Sequence, residues 1–227
     1  MKTRIETGIP GLDRLTQGGF IQNSVNMVTG ETGTGKTIFC LQFLWQGLQK
    51  GDTCLYITLE EDPKDIMDDA IQFGWDFEKF EKKGLFKIIY NDPAQVNNLG
   101  STVIDEIKRI DAKRLVIDST SIIGLTVESP SQIRKMLYNI TGTIKKTGCT
   151  ALITSEIPEG TKKLTRFGVE EFVVDSVIVL NYLEYAAGGG GPNRTIVIRK
   201  MRKTKHGKDM YPFDITPKGI VVKAVES

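Results

Sequence analysis

The chain has 227 residues, 40% of them hydrophobic, which is enough to bury a sizeable α/β core. Lys and Arg number 30 against 28 Asp and Glu, a formal net charge of +2, so nothing global argues for nucleic acid or an anionic membrane as a partner. No apolar run reaches spanning length and Met1 to Glu6 has no apolar signal core; membrane insertion is excluded and the cytoplasm is the expected compartment.

Residues Thr7 to Leu15 read as a turn and a short helix, and Gly18-Gly19 turns the chain into an apolar, β-prone strand at Val25 to Thr29. The next eight residues, Gly30-Glu31-Thr32-Gly33-Thr34-Gly35-Lys36-Thr37, fit the P-loop pattern G-x-x-x-x-G-K-[ST]. Its glycines let the backbone curl into a nest of N–H groups. Lys36 has the reach for the β- and γ-phosphates of a nucleotide, and the Thr37 hydroxyl suits Mg²⁺. An apolar helix follows from Ile38, and its positive end adds to the anion site.

Lys50-Gly51-Asp52 stops that helix, and Thr53 to Leu59 is a β-prone run of the kind buried on both faces. It ends at Glu60-Glu61, after which Asp62 as N-cap and Pro63 at the first position open a helix. A strand is predicted at Leu85 to Tyr90, and a helix at Leu99 to Ile110 with Val103, Ile104, Ile107 and Ile110 in helical spacing. Further strands are predicted at Arg114 to Ser119, Cys149 to Glu156 and Ser176 to Tyr182, with a helix at Ser131 to Lys146. The alternation implies an α/β fold with a mainly parallel central sheet and helices on both faces.

The end of the chain reads differently. Gly188 to Gly191 is a loop between hairpin strands, Thr195 to Met201 is β-prone, and Tyr211 to Thr216 with Ile220 to Lys223 form a hairpin around Pro217-Lys218-Gly219. This predicts a C-terminal antiparallel β extension on the parallel sheet. Neither a linker nor a repeat interrupts the pattern, so residues 1–227 read as one domain. Cys40, Cys54 and Cys149 are odd in number and lack metal-type spacing, and they read as buried reduced thiols.

Three features carry the chemistry. Asp118 ends the apolar run Leu115-Val116-Ile117, the Walker B pattern; an acid closing a strand beside the P-loop strand holds Mg²⁺ through water, although an Asp there also caps a turn with Ser119-Thr120-Ser121. Glu60 and Glu61 either activate the attacking water or simply favour a helix N-terminus, and spacing leaves both readings open. Arg199 to Lys208 is a basic run in which Lys200 and Arg202, alternate residues of a strand, share a face. They form either a phosphate clamp or, as composition favours, a solvated edge that blocks strand pairing. His206 is the only histidine.

Together these residues resemble a stand-alone, single-domain KaiC-like ATPase of the RecA superfamily. The resemblance rests on Thr7 to Asp13, the P-loop, the Glu60-Glu61 pair, Leu115 to Asp118, Ile153 to Glu156, Gly168 to Asp175, and K-x-R-x-x-x-H-x-K at Lys200, Arg202, His206 and Lys208. It implies a RecA-like P-loop NTPase fold and Mg²⁺-dependent hydrolysis of ATP to ADP. Glu60 and Glu61 become the catalytic acids, with Lys36 beside them, and nucleotide is bound by Gly30 to Thr37 and the adjoining Ile38. Thr37 and Asp118 are the metal residues. Lys200 and Arg202 act in trans on a neighbour's γ-phosphate, with His206 and Lys208 nearer the ribose and phosphates. A homo-hexameric ring with sites at subunit interfaces follows, with a regulatory or signalling role and an unidentified protein partner.

The sequence also departs from the family's clock member, which has two such domains in tandem. The positions of its phosphorylated Ser-Thr pair, four and three residues before Asp175, hold Glu171 and Phe172, which removes autokinase activity at that site. Two other readings compete. A recombinase-like protein would bind single-stranded DNA through the loop Ile157 to Gly168 with Lys162, Lys163 and Arg166, where Phe167 is the lone aromatic. A nucleotide-gated binding protein would use ATP to set assembly or docking with little turnover.

Overall fold

A computed structural model describes residues 2–183 and 193–223. Near the N-terminus, β1 (Arg4–Ile5), α1 (Leu12–Leu15) and β2 (Phe20–Ile21) form a small antiparallel flap. There follow β3 (Val25–Gly30), α2 (Lys36–Gln49), β4 (Cys54–Thr58), α3 (Pro63–Ile71), α4 (Glu78–Glu81) and β5 (Phe86–Tyr90). The middle of the chain gives α5 (Leu99–Ile110), β6 (Arg114–Asp118), α6 (Pro130–Thr147) and β7 (Thr150–Glu156). It closes with β8 (Ser176–Leu183), β9 (Asn193–Met201), β10 (Met210–Thr216) and β11 (Gly219–Val222).

Nine strands form one sheet in the order β11-β10-β9-β8-β3-β7-β6-β4-β5. The pairs from β8 through β5 are parallel, and β9, β10 and β11 extend the sheet antiparallel. This is the predicted RecA-like architecture. The predicted Gly188 to Gly191 loop lies outside the described residues, while β8 and β9 on either side of it pair antiparallel as a hairpin would.

Alternation along the buried strands divides the core. Val28, Tyr56, Val116, Leu152 and Ile178 face one layer with Phe39, Phe43 and Leu44 of α2. Their neighbours Met27, Leu55, Leu115, Ile117 and Ile153 face the other, with Val103 and Ile107 of α5 and Leu137 and Ile144 of α6. The period of two thus produces helices on both faces. Cys40, Cys54 and Cys149 are buried and free. Among the described residues no helix is long and apolar enough to cross a membrane.

One expectation is corrected. The strand carrying Asp118 does not adjoin the P-loop strand, because β7 lies between β3 and β6. β7 pairs with β3 along its length, from Val25 opposite Ala151 to Gly30 opposite Glu156, and with β6 on its other side. Lateral order is set by these long-range pairings, which the local pattern of a strand does not encode.

Candidate active site

The loop between β3 and α2 is shaped by packing as well as by ligand chemistry. A Cβ at Gly30 would meet the Leu180 carbonyl oxygen at 2.4 Å, so only glycine fits against β8. Gly35 has φ 100°, a left-handed conformation that glycine adopts freely, and α2 starts at the next residue. Thr34 Oγ1 donates to Glu31 O at 2.8 Å. Lys36 Nζ donates to the carbonyl oxygens of Gly30 and Glu31 at 3.1 and 3.0 Å.

The loop opens on a cleft of about 350 Å³. Thr32, Gly33, Gly35, Lys36, Thr37 and Ile38 form one wall. Glu60, Glu61, Asp118 and Ser119 arrive from the carboxyl ends of β4 and β6, and Arg194 comes from the start of β9. Open parallel sheets place their ligand sites at this end of the strands.

Asp118 is the most heavily engaged group in the cleft. Its Oδ2 accepts from Thr37 Oγ1 at 2.9 Å and from the Tyr56 hydroxyl at 2.7 Å, and its Oδ1 accepts from Thr154 Oγ1. Burial, with the Asp118 charge next, pushes the Tyr56 phenol well above its ordinary range, so it stays a donor. Thr37 and Asp118 supply hard oxygens, the donor chemistry that fits Mg²⁺.

Glu60 and Glu61 follow β4 on a turn in which the Thr58 hydroxyl accepts from both of their N–H groups. Asp62 alone caps α3, accepting from Lys64 N at 2.8 Å, with Pro63 at the first helical position as predicted. Glu60 turns instead to Ser119, whose Oγ donates to Oε1 at 3.1 Å. Both glutamates reach the mouth of the cleft, yet the protein around them removes enough water to raise both carboxyls above their usual range. Nearby acids add to this: Glu156 first for Glu60, and Asp118 for Glu61.

The basic run sits elsewhere. Lys200 pairs with Val177, which pairs with Met27, toward the opposite end of the strands from Gly30. Lys200 Nζ donates to the carbonyl oxygens of Glu171 and Val174 at 2.8 and 2.7 Å, and burial lowers its pKa, with the Arg202 charge adding to this. Arg202 lies just past the end of β9, so the expectation that it alternates with Lys200 within a strand is corrected; the strand stops where Arg202 N donates to Asp175 O. Its guanidinium still reaches the same segment, at Asp175 Oδ1 (3.5 Å) and Phe172 O (3.4 Å). His206 Nδ1 lies 2.7 Å from Gly207 O, and Lys208 is exposed. Within one chain, none of these four lines the P-loop cleft.

Sequence reasoning missed Arg194, Tyr56 and Ser119. Arg194 stacks over the Tyr182 ring at 5.0 Å, and its Nε is buried without a hydrogen-bond partner among the described residues. Its only local signal is an arginine opening a strand of apolar residues. Lys162, Lys163 and Arg166 are exposed, whereas Phe167 is half-buried and packs against the core.

Comparison with known proteins agrees with the RecA-like fold. A family profile described as "ATPase: KaiC" matches residues 5–227. A UPF0273 protein of Pyrococcus furiosus is 36% identical across 98% of this chain and 94% of its own length. The circadian clock oscillator protein KaiC of Acaryochloris marina is 36% identical over 96% of this chain, which spans 43% of that protein. The crystal structure of a KaiC-like protein from Pyrococcus horikoshii superposes with a TM-score of 0.89 and 40% identity, covering 99% of this chain and 100% of that one.

Proposed function

The chain belongs to the KaiC family of ATPases, and from that membership we propose that it is a Mg²⁺-dependent ATP hydrolase working as a single-domain subunit of a homo-oligomeric ring, with six subunits as the expected size. The observation that carries this reading is the meeting of Lys36, Thr37, Asp118, Glu60 and Glu61 in one cleft, while Lys200 and Arg202 of the same chain stand at the other end of the sheet. A site so divided is completed by a neighbour.

Lys36 and the loop N–H groups hold the β- and γ-phosphates and stabilise charge that builds on them. Thr37 and Asp118 hold Mg²⁺, which when bound neutralises phosphate charge. Glu60, tethered by Ser119, or Glu61 beside it orients a water and takes its proton as the water oxygen bonds to the γ-phosphorus and the bond to the β-bridging oxygen breaks. Lys200 and Arg202 of the next subunit act on the γ-phosphate, with His206 and Lys208 toward the ribose and phosphates. Charge supports head-to-tail contact: the cleft side carries Asp65 and Asp69 beside Glu61, and the side bearing Lys200 and Arg202, the finger, also carries Lys145 and Lys203 around Asp175. The clock names among the relatives support a regulatory or signalling role.

Mass measurement with and without ATP and Mg²⁺ tests this directly. A ring mass that depends on nucleotide is expected, together with loss of turnover in Lys36→Ala. A monomer in all conditions would remove the shared site, and normal turnover by Lys36→Ala would remove the P-loop assignment.

A further inference from the structure

Glu170 takes no part in the cleft, yet it is the one carboxylate that is fully buried among the described residues. Burying such a group is costly unless donors surround it. Its oxygens accept from Ser155 Oγ at 3.0 Å, Thr165 Oγ1 at 2.6 Å, Val169 N at 3.1 Å and Phe167 N at 3.3 Å. These donors gather a turn that leads two ways.

Toward the cleft, Ser155 is in register with Thr29, Thr29 Oγ1 donates to Leu164 O at 2.7 Å, and Ile157 N donates to Gly30 O at 3.1 Å. Toward the finger, the residue after Glu170 supplies one of the two carbonyls that hold Lys200, and Phe172 O and Asp175 hold Arg202. We propose that Glu170 is a positioning residue for the finger: it pins the turn that anchors Lys200 and Arg202 to the strand end beside the P-loop. The inference rests on the trans reading above. Because every contact of the Glu170 carboxylate is an acceptance, a Gln in its place would turn an NH₂ group toward N–H and O–H donors and displace the turn.

The test uses Glu170→Gln and the milder, volume-conserving Thr165→Val in the full chain. Both are expected to bind a fluorescent ATP analogue within about twofold of wild type, because neither Glu170 nor Thr165 lines the P-loop cleft. Homogeneous protein should lose turnover about tenfold, the size of a lost hydrogen bond to a charged group. Each should recover turnover when mixed with Glu60→Gln/Glu61→Gln protein, whose finger is intact. Arg202→Ala mixed with the same double variant is the control for trans action. Recovery in the control but in neither test mixture overturns the role of Glu170, as does wild-type turnover by Thr165→Val. No recovery in the control overturns the trans reading and this inference with it.

Discussion

Thr37 Oγ1 lies 2.9 Å from Asp118 Oδ2, although the strands that deliver them, β3 and β6, are separated by β7. The contact works because Thr37 sits on α2, past the strand ends, and Asp118 closes β6. Asp118→Asn would present an amide to three hydroxyl donors. The expected loss of stability is about 1–3 kcal/mol in urea unfolding. Nucleotide titrations with Mg²⁺ and with EDTA should then give nearly equal affinities. If the variant keeps the wild-type preference for Mg²⁺, Asp118 is not a metal residue.

The raised carboxyls of Glu60 and Glu61 make stability and activity depend oppositely on pH. Folding favours their protonated forms, so their contribution is fully present below the ordinary value of 4.5 and is lost as pH rises through the raised folded values. Both groups reach solvent, which keeps the effect small. Glu60→Gln/Glu61→Gln should melt about 1–3 °C above wild type near neutral pH, the gap closing in acid. Turnover should rise with pH along a limb lying above 4.5, since the base acts deprotonated. Equal melting of the two proteins at all pH values would contradict the strained pair.

Arg194 brings a guanidinium to the cleft, and its buried Nε has no partner among the described residues. A bound nucleotide can supply the missing acceptor. Arg194→Ala should weaken nucleotide binding about tenfold by calorimetry, as expected for a charged hydrogen bond. Unchanged affinity would leave Arg194 a packing residue on Tyr182.

Arg114 predicts a different outcome, a loss of stability with binding intact. It is 2% exposed, donates to Asp52 Oδ2 and Glu6 O at 2.8 Å and to Phe43 O at 2.9 Å, and lies over the Phe43 ring. A Cβ at Gly47 would meet its Nε at 2.4 Å, so the helix glycine is what admits it. Arg114→Ala should cost about 3–5 kcal/mol in denaturant unfolding. A cost near zero would mean that Asp52 and the freed carbonyls find water without penalty.

Much of the fold was legible from local pattern. The helix at Leu99 to Ile110 matches its predicted bounds because Leu99, Val103 and Ile107 form a clean buried stripe that Asp111 ends in a left-handed conformation. β1 and β2 have two residues each, too few to display any period, and α4 has a single turn. The P-loop, Asp118 and the glutamate pair could be found because each is a residue type fixed at a strand end. The position of β7, the hydroxyls around Asp118 and the approach of Arg194 come from pairings between distant segments, and no local window contains them.

Gly30 bears on how such motifs should be read. Its α-carbon faces a carbonyl of β8, and its own carbonyl serves both Lys36 and Ile157. All three contacts exist without any nucleotide, and the first can be met only by glycine. A relative that had abandoned phosphate altogether would still be obliged to keep this glycine, as a condition of folding. Its persistence is evidence of ancestry, whereas the fate of Lys36 records whether the ligand is still in use.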